Sequence, residues 1–169
     1  MSQTVAERIA AEFGDMVYGT SRHEFTGQWR VDVKRDAVLP VLRFCHDTLG
    51  LHYLADVTAV DNLQMPAPRE QRFEVIYVLE NFEARDDLVL RAMVPEDDPV
   101  VESATAIWKA ANWLEREVYD MFGISFRNHP NLIRILLPEN FDAHPLRKDF
   151  PTEGIGYRDR FPIISREDA

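Results

Sequence analysis

The chain has 169 residues and a formal charge of −10, with a sequence pI near 4.9. Apolar residues make up 46% and charged residues 28%, an ordinary globular composition for one domain, or one domain plus an arm. The acidic balance disfavours nucleic acid and anionic membrane surfaces as direct partners. The single cysteine, Cys45, excludes an internal disulfide and a four-thiolate iron–sulfur site built by this chain alone. Lys34, Lys109 and Lys148 are the only lysines among nineteen basic residues; the dominance of arginine fits either an interface, where it forks onto carboxylates, or the codon bias of a GC-rich genome. The start carries an early Glu7 and no apolar core of signal-peptide length, and no run approaches a membrane span.

Ala6, Ile9, Ala10 and Phe13 recur at helical spacing and Gly14 follows, which predicts a short opening helix. Positions 16–24 read as a weak strand. Gly27 supplies a turn into a second strand over 28–34, where Trp29, Val31 and Val33 alternate with Arg30, Asp32 and Lys34. Asp36 can cap a second helix running to Leu49, with Val38, Leu42, Cys45 and Leu49 on one face, Pro40 near its start and Gly50 at its end. A third strand is expected over 53–61, then a loop over 62–71 with Pro66 and Pro68. The apolar run over 73–82 predicts the most buried strand, and 88–94 its hairpin partner across 83–87. A third helix is expected over 103–122, with Ile107, Ala111, Leu114, Val118 and Met121 as its stripe and Gly123 as its stop. The order α-β-β-α-β-β-β-α, rich in hairpins, predicts an α+β two-layer sandwich with helices on one face of a mainly antiparallel sheet.

Composition changes after Phe126. Residues 127–169 hold five of the ten prolines and sum to zero charge, so the whole −10 lies in residues 1–126. Prolines at this density preclude long helices and central strands. Yet Leu132, Ile133, Ile135, Leu136, Leu137, Phe141, Leu146, Phe150, Phe161, Ile163 and Ile164 are more apolar surface than a disordered tail carries. The expectation is a domain over 1–126 and an ordered, extended, Pro-rich C-terminal arm over 127–169 that docks on partner subunits.

Phosphate-binding, dinucleotide, nucleophile-elbow and zinc-helix motifs are absent; Gly154 and Gly156 form a Gly-x-Gly with no third glycine. His129 and His144 each precede a proline (Pro130 and Pro145) and lie fifteen residues apart, which fits packed or hydrogen-bonded histidines better than metal ligands. The dense polar cluster is Glu115, Arg116, Glu117 and Asp120. Glu117 and Asp120 share a helix face as a possible acid/base pair of a free-standing enzyme. The other reading is an ion-pair network that fixes the arm, because Arg127, Arg134, Arg147, Lys148 and Arg158 follow. No nucleophile or metal motif stands near these carboxylates in sequence, which favours the network.

The run over 115–138, together with 144–151, closely resembles the thirty-kilodalton-type subunit (the C-type subunit) of proton-pumping NADH:quinone oxidoreductase, respiratory complex I. The residues that carry the resemblance are Glu115, Arg116, Glu117, Asp120, Met121, Phe122, Gly123, Ile124, His129, Pro130, Arg134, Ile135, Leu136, His144, Pro145, Leu146, Arg147, Lys148 and Asp149. The strong motifs cover about 113–151. Two positions depart from the family pattern: Phe141 stands near a usual Trp and Ala143 in place of a usual Gly, a strain only where positive φ is needed. The resemblance implies a non-catalytic structural and assembly subunit of the hydrophilic arm of a membrane-attached complex that couples electron transfer from NADH to quinone with proton translocation. It implies partners in the forty-nine-kilodalton-type (D-type) and twenty-kilodalton-type (B-type) subunits. It implies a peripheral place on the cytoplasmic face of the bacterial inner membrane, with indirect membrane contact. It implies no cofactor on this chain, with FMN, iron–sulfur clusters, NADH and a quinone serving the assembled complex. Relatives whose donor is not NADH, such as ferredoxin- or F420-linked dehydrogenases and membrane-bound hydrogenases, carry an equivalent subunit and form the alternative.

Overall fold

The computed structural model describes residues 4–65 and 71–154. Pro66, Pro68 and the arm's positions 155–169, including Phe161, Ile163 and Ile164, lie outside the described residues. Helix α1 (Val5–Phe13) opens with a capping box: Thr4 accepts from the Glu7 N–H, and the Glu7 carboxylate accepts from the Thr4 N–H. Strands β1 (Val17–Arg22) and β2 (Trp29–Lys34) follow, then a short 3-10 turn (Arg35–Ala37) and α2 (Val38–Asp47). Asp36 makes no capping bond there; its carboxylate is exposed and stands 3.7 Å from Arg35. The chain continues through β3 (Tyr53–Asp61), β4 (Phe73–Asn81), β5 (Asp86–Val94), β6 (Val100–Glu102), α3 (Ala111–Phe122) and β7 (Ser125–Arg127).

The five-stranded sheet has the order β1-β2-β5-β4-β3. Three of its pairs are antiparallel, and β2 pairs with β5 in parallel. The architecture is the expected α+β arrangement with a mainly antiparallel sheet. The crossover through α2 carries the chain from β2 to the far edge at β3, and two hairpins bring it back inward. One sheet face is fully apolar: Val31, Val33, Phe73, Val75, Tyr77, Leu79, Leu88, Leu90, Ala92 and Val94 are buried against Ile9, Val38, Val41, Leu42 and Cys45 of the first two helices. On the opposite face Glu74, Val89 and Met93 are buried and Ile76, Val78 and Arg91 half-buried, and Arg91 pairs there with Glu74 and with Asp32 of β2. One difference from the sequence reading bears on the site. Helix α3 begins at Ala111, not near 103, because 100–102 forms a parallel two-stranded sheet with 125–127. That pairing continues into Ser103, whose N–H donates to the Arg127 carbonyl and holds 103–110 in turns.

Candidate functional site: the α3 carboxylates and the arm they hold

Two carboxylates of α3 are fully buried, and each performs a different fastening. Asp120 sits in the last turn of the helix. Its Oδ2 accepts the backbone N–H groups of Ile135, Leu136 and Leu137 at 3.0, 2.8 and 3.0 Å, and its Oδ1 accepts from Arg134 at 2.6 Å. Burial opposes the charge, but these donors outweigh it and hold the carboxyl below its usual range. The Asp120 carbonyl also accepts from His144 Nδ1 at 3.0 Å, which fixes the tautomer of that ring. Burial, with Arg147 and Arg134 nearby, depresses the His144 pKa and favours the neutral ring. Arg134 reaches on to the Ala143 carbonyl. Arg116 donates to the Ile133 and Arg134 carbonyls at 3.0 and 3.4 Å.

The helix end supplies further anchors. Helix C-termini leave carbonyls without intrahelical partners. Here the Met121 carbonyl accepts the Leu146 N–H, and the Phe122 carbonyl accepts Arg147 Nε. Gly123 closes α3 in the left-handed region, φ +72°, and the arm passes directly over it: a Cβ there would lie 2.5 Å from His144 Nε2. Ala143 takes an ordinary negative φ, so its departure from the family's glycine carries no strain. The far end of the motif is tied to the sheet. The Lys148 N–H donates to Asp61 Oδ2, and the Asp149 carboxylate pairs with Arg72 at 2.8 Å. Arg72 forks onto Asp61 through Nε and Nη2 and also pairs with Glu96. Sequence reasoning missed Arg72 and Asp61, which sit at strand ends and carry no periodic signal.

Glu115 points the other way, into the core. Its carboxylate accepts the Ser103 O–H and the Ala104 N–H, both at 2.6 Å, so it caps the turns that lead into α3. Burial raises its pKa to about 7 against the pull of those two donors. His129 Nε2 lies 4.0 Å away, donates instead to the Asn112 carbonyl, and is pushed toward the neutral form by burial. Tyr77, also fully buried, has a hydroxyl with no hydrogen-bond partner among the described residues.

The motif residues thus divide. Glu115, Arg116, Asp120, Gly123, His129, Arg134, His144 and Arg147 converge on α3 and the arm's path over it. Arg116, one helical turn before Asp120, makes no ion pair with it, because Arg134 takes that carboxylate. Phe122 is buried, and Pro130, Leu146 and the Lys148 side chain lie at the surface, with Pro145 half-buried. Glu117 is exposed and has no ion pair among the described residues. Asp120 is fully buried and accepts four hydrogen bonds from the arm, so it is not open to a substrate as the partner of Glu117 in an acid/base pair. Among the described residues no group of three or more His, Cys, Asp or Glu is placed to hold a metal, and the thiol of buried Cys45 is pushed up to about 12. These residues do not fit an iron–sulfur cluster or other metal centre. No helix among the described residues is long and apolar enough to cross a membrane.

The family model of the respiratory-chain NADH dehydrogenase 30 kDa subunit matches residues 31–155. The chain is 46% identical over 143 residues to the C subunit of NADH-quinone oxidoreductase from Citrifermentans bemidjiense, covering 85% of this chain and 84% of that protein. It is 42% identical over 160 residues to the C subunit from Geobacter sulfurreducens, 95% and 91% of the two chains. Among solved structures, the trypsin-resistant fragment (1-134) of Nqo5 matches with a TM-score of 0.66 at 34% identity, over 75% of this chain and 95% of that one. A chain of the archaeal membrane-bound sulfane sulfur reductase, a respiratory membrane complex, matches with a TM-score of 0.67 at 25% identity, over 86% and 82%. With the sheet, the α3 motif and these relatives in agreement, the chain belongs to the family of the respiratory-chain NADH dehydrogenase 30 kDa subunit, the C subunit of NADH-quinone oxidoreductase.

Proposed function

We propose that this protein is a structural and assembly part of the hydrophilic arm of its complex, holding no redox centre and joining the D-type and B-type subunits on the cytoplasmic face of the membrane. FMN, iron–sulfur clusters, NADH and quinone are carried by other chains of the assembly. The arm over 127–169 is the main docking element. The observation that carries this reading is the combination of a fixed backbone and free apolar side chains. Ile133, Leu136 and Leu146 are 44%, 60% and 51% exposed, while the N–H groups of Leu136 and Leu146 are held by Asp120 and the Met121 carbonyl. A preordered segment with exposed apolar side chains loses less entropy on association than a free one. The trypsin-resistant Nqo5 fragment supports a division of such chains into a resistant body and a remainder.

Affinity purification of the tagged full-length chain from its own membranes, followed by mass spectrometry, tests this. Recovery of the D-type and B-type subunits together is expected, and recovery of the chain alone would overturn it. The purified single chain is expected to contain no stoichiometric flavin or iron. A second reading is the equivalent subunit of a related complex whose donor is not NADH, and the likeness to a chain of the sulfane sulfur reductase supports only kinship with a respiratory complex of another reaction. The co-purifying electron-input subunits decide between the two donors, and the relatives at 46% and 42% identity favour NADH.

A further inference from the structure

Resting on that reading, we propose that Trp113, Glu117, Ile133 and Leu136 form one preorganised docking strip, and that it receives a partner subunit's apolar surface carrying a basic side chain. Trp113 is 64% exposed on the outer face of α3. The Arg116 guanidinium lies 4.8 Å over its ring while donating to the Ile133 and Arg134 carbonyls. One cation thus clamps an indole on the helix to the backbone of the arm. Ile133 and Leu136 stand out from that same clamped stretch, and the Leu136 N–H is fixed on Asp120.

Large exposed apolar groups rimmed by charge mark association sites, and tryptophan and arginine supply most interface hot spots. An indole already held by a stacked guanidinium has little rotamer freedom left to lose on binding. Charge identifies the occupant. Glu117 follows Trp113 by one helical turn and has no ion pair among the described residues, while the adjacent cation of Arg116 is consumed by two carbonyls and the ring. An unanswered carboxylate beside an apolar strip calls for a lysine or arginine opposite. A second copy would set Glu117 and a charge of −10 against themselves, so the complementary surface belongs to a different chain.

Three full-length variants test the strip: Trp113→Ala, Leu136→Ser and Glu117→Arg, each assayed for partner recovery from membranes and for thermal melting of the purified chain. Trp113→Ala and Leu136→Ser are expected to lower partner recovery on the order of tenfold or more while melting within a few degrees of the parent. Glu117→Arg is expected to lower it as well and to remove its sensitivity to salt. Unchanged recovery by both Trp113→Ala and Leu136→Ser overturns the strip and leaves the family role standing. A parent chain that recovers no other subunit overturns both. A dimer of the purified chain that Trp113→Ala dissolves assigns the strip to self-association and also overturns the proposal.

Discussion

Asp120 places four donors on one buried carboxylate, so its charge is a stability term. A carboxyl held below its usual pKa contributes stability that is complete above the unfolded value and is lost as pH falls through the folded one. The depressed His144 pKa acts in the same direction, because protonation is disfavoured in the folded form. Both predict an arm that loosens in acid. Asp120→Ala strands Arg134 and three N–H groups and should cost about 3–5 kcal/mol, read as a lower urea midpoint and as faster hydrogen exchange at 135–137. It should also lower the amount of assembled complex without slowing the complexes that do form. Glu115 has the opposite sign. Its pKa rises from 4.5 to about 7, so the stability it gives is complete below about pH 4.5 and lost as pH rises through 7. Relative to Glu115→Gln, the parent should lose on the order of 3 kcal/mol between pH 4.5 and pH 8, measured by urea unfolding at both ends. Tyr77→Phe removes a buried hydroxyl without a partner and should leave stability unchanged or raise it by about 1 kcal/mol, read by thermal melting.

At the scale of elements, periodicity located the long ones. Strand β3 has the bounds that alternation indicated, and β4 and β5 differ from their expected spans by a residue or two at their ends. Strands of three residues, β6 and β7, offer too few positions for a period of two to emerge, and their pairing across more than twenty residues has no local sign. The same pairing displaced the start of α3, where Ile107 continued the helical stripe in sequence while the backbone had already been claimed by the small sheet. Gly123 was legible as a stop, but not the reason it must be glycine. Its left-handed backbone and the overlying His144 and Arg147 both exclude a side chain. Gly123→Ala should therefore destabilise the junction by more than the ~1 kcal/mol that positive φ alone costs an alanine. Faster tryptic cleavage after Arg134 and Arg147, with the sheet still intact by circular dichroism, is the expected result.

Across the whole molecule, ion pairs far apart in sequence join the arm to the sheet. The Asp120–Arg134 tie could be anticipated from an acidic helix end followed by arginines, whereas the Arg72 junction could not. Arg72 draws together Asp61, Glu96 and Asp149 from three separate stretches, at separations no local pattern encodes. Its pKa is raised by the hydrogen bond to Asp61, and Asp61 itself is buried. Arg72→Met should leave that carboxylate unpaired, cost about 3–5 kcal/mol and expose the end of the arm, measured by urea unfolding and by proteolysis after Lys148. Arg72→Lys should recover only part of the loss, because an ammonium cannot fork. Asp120 grips three successive peptide groups rather than their side chains, so the identity of residue 136 is free of the fastening. In evolutionary terms that uncouples two demands. Mutation can retune what position 136 offers to a neighbouring subunit, tracking changes across the contact, while the arm stays seated on α3.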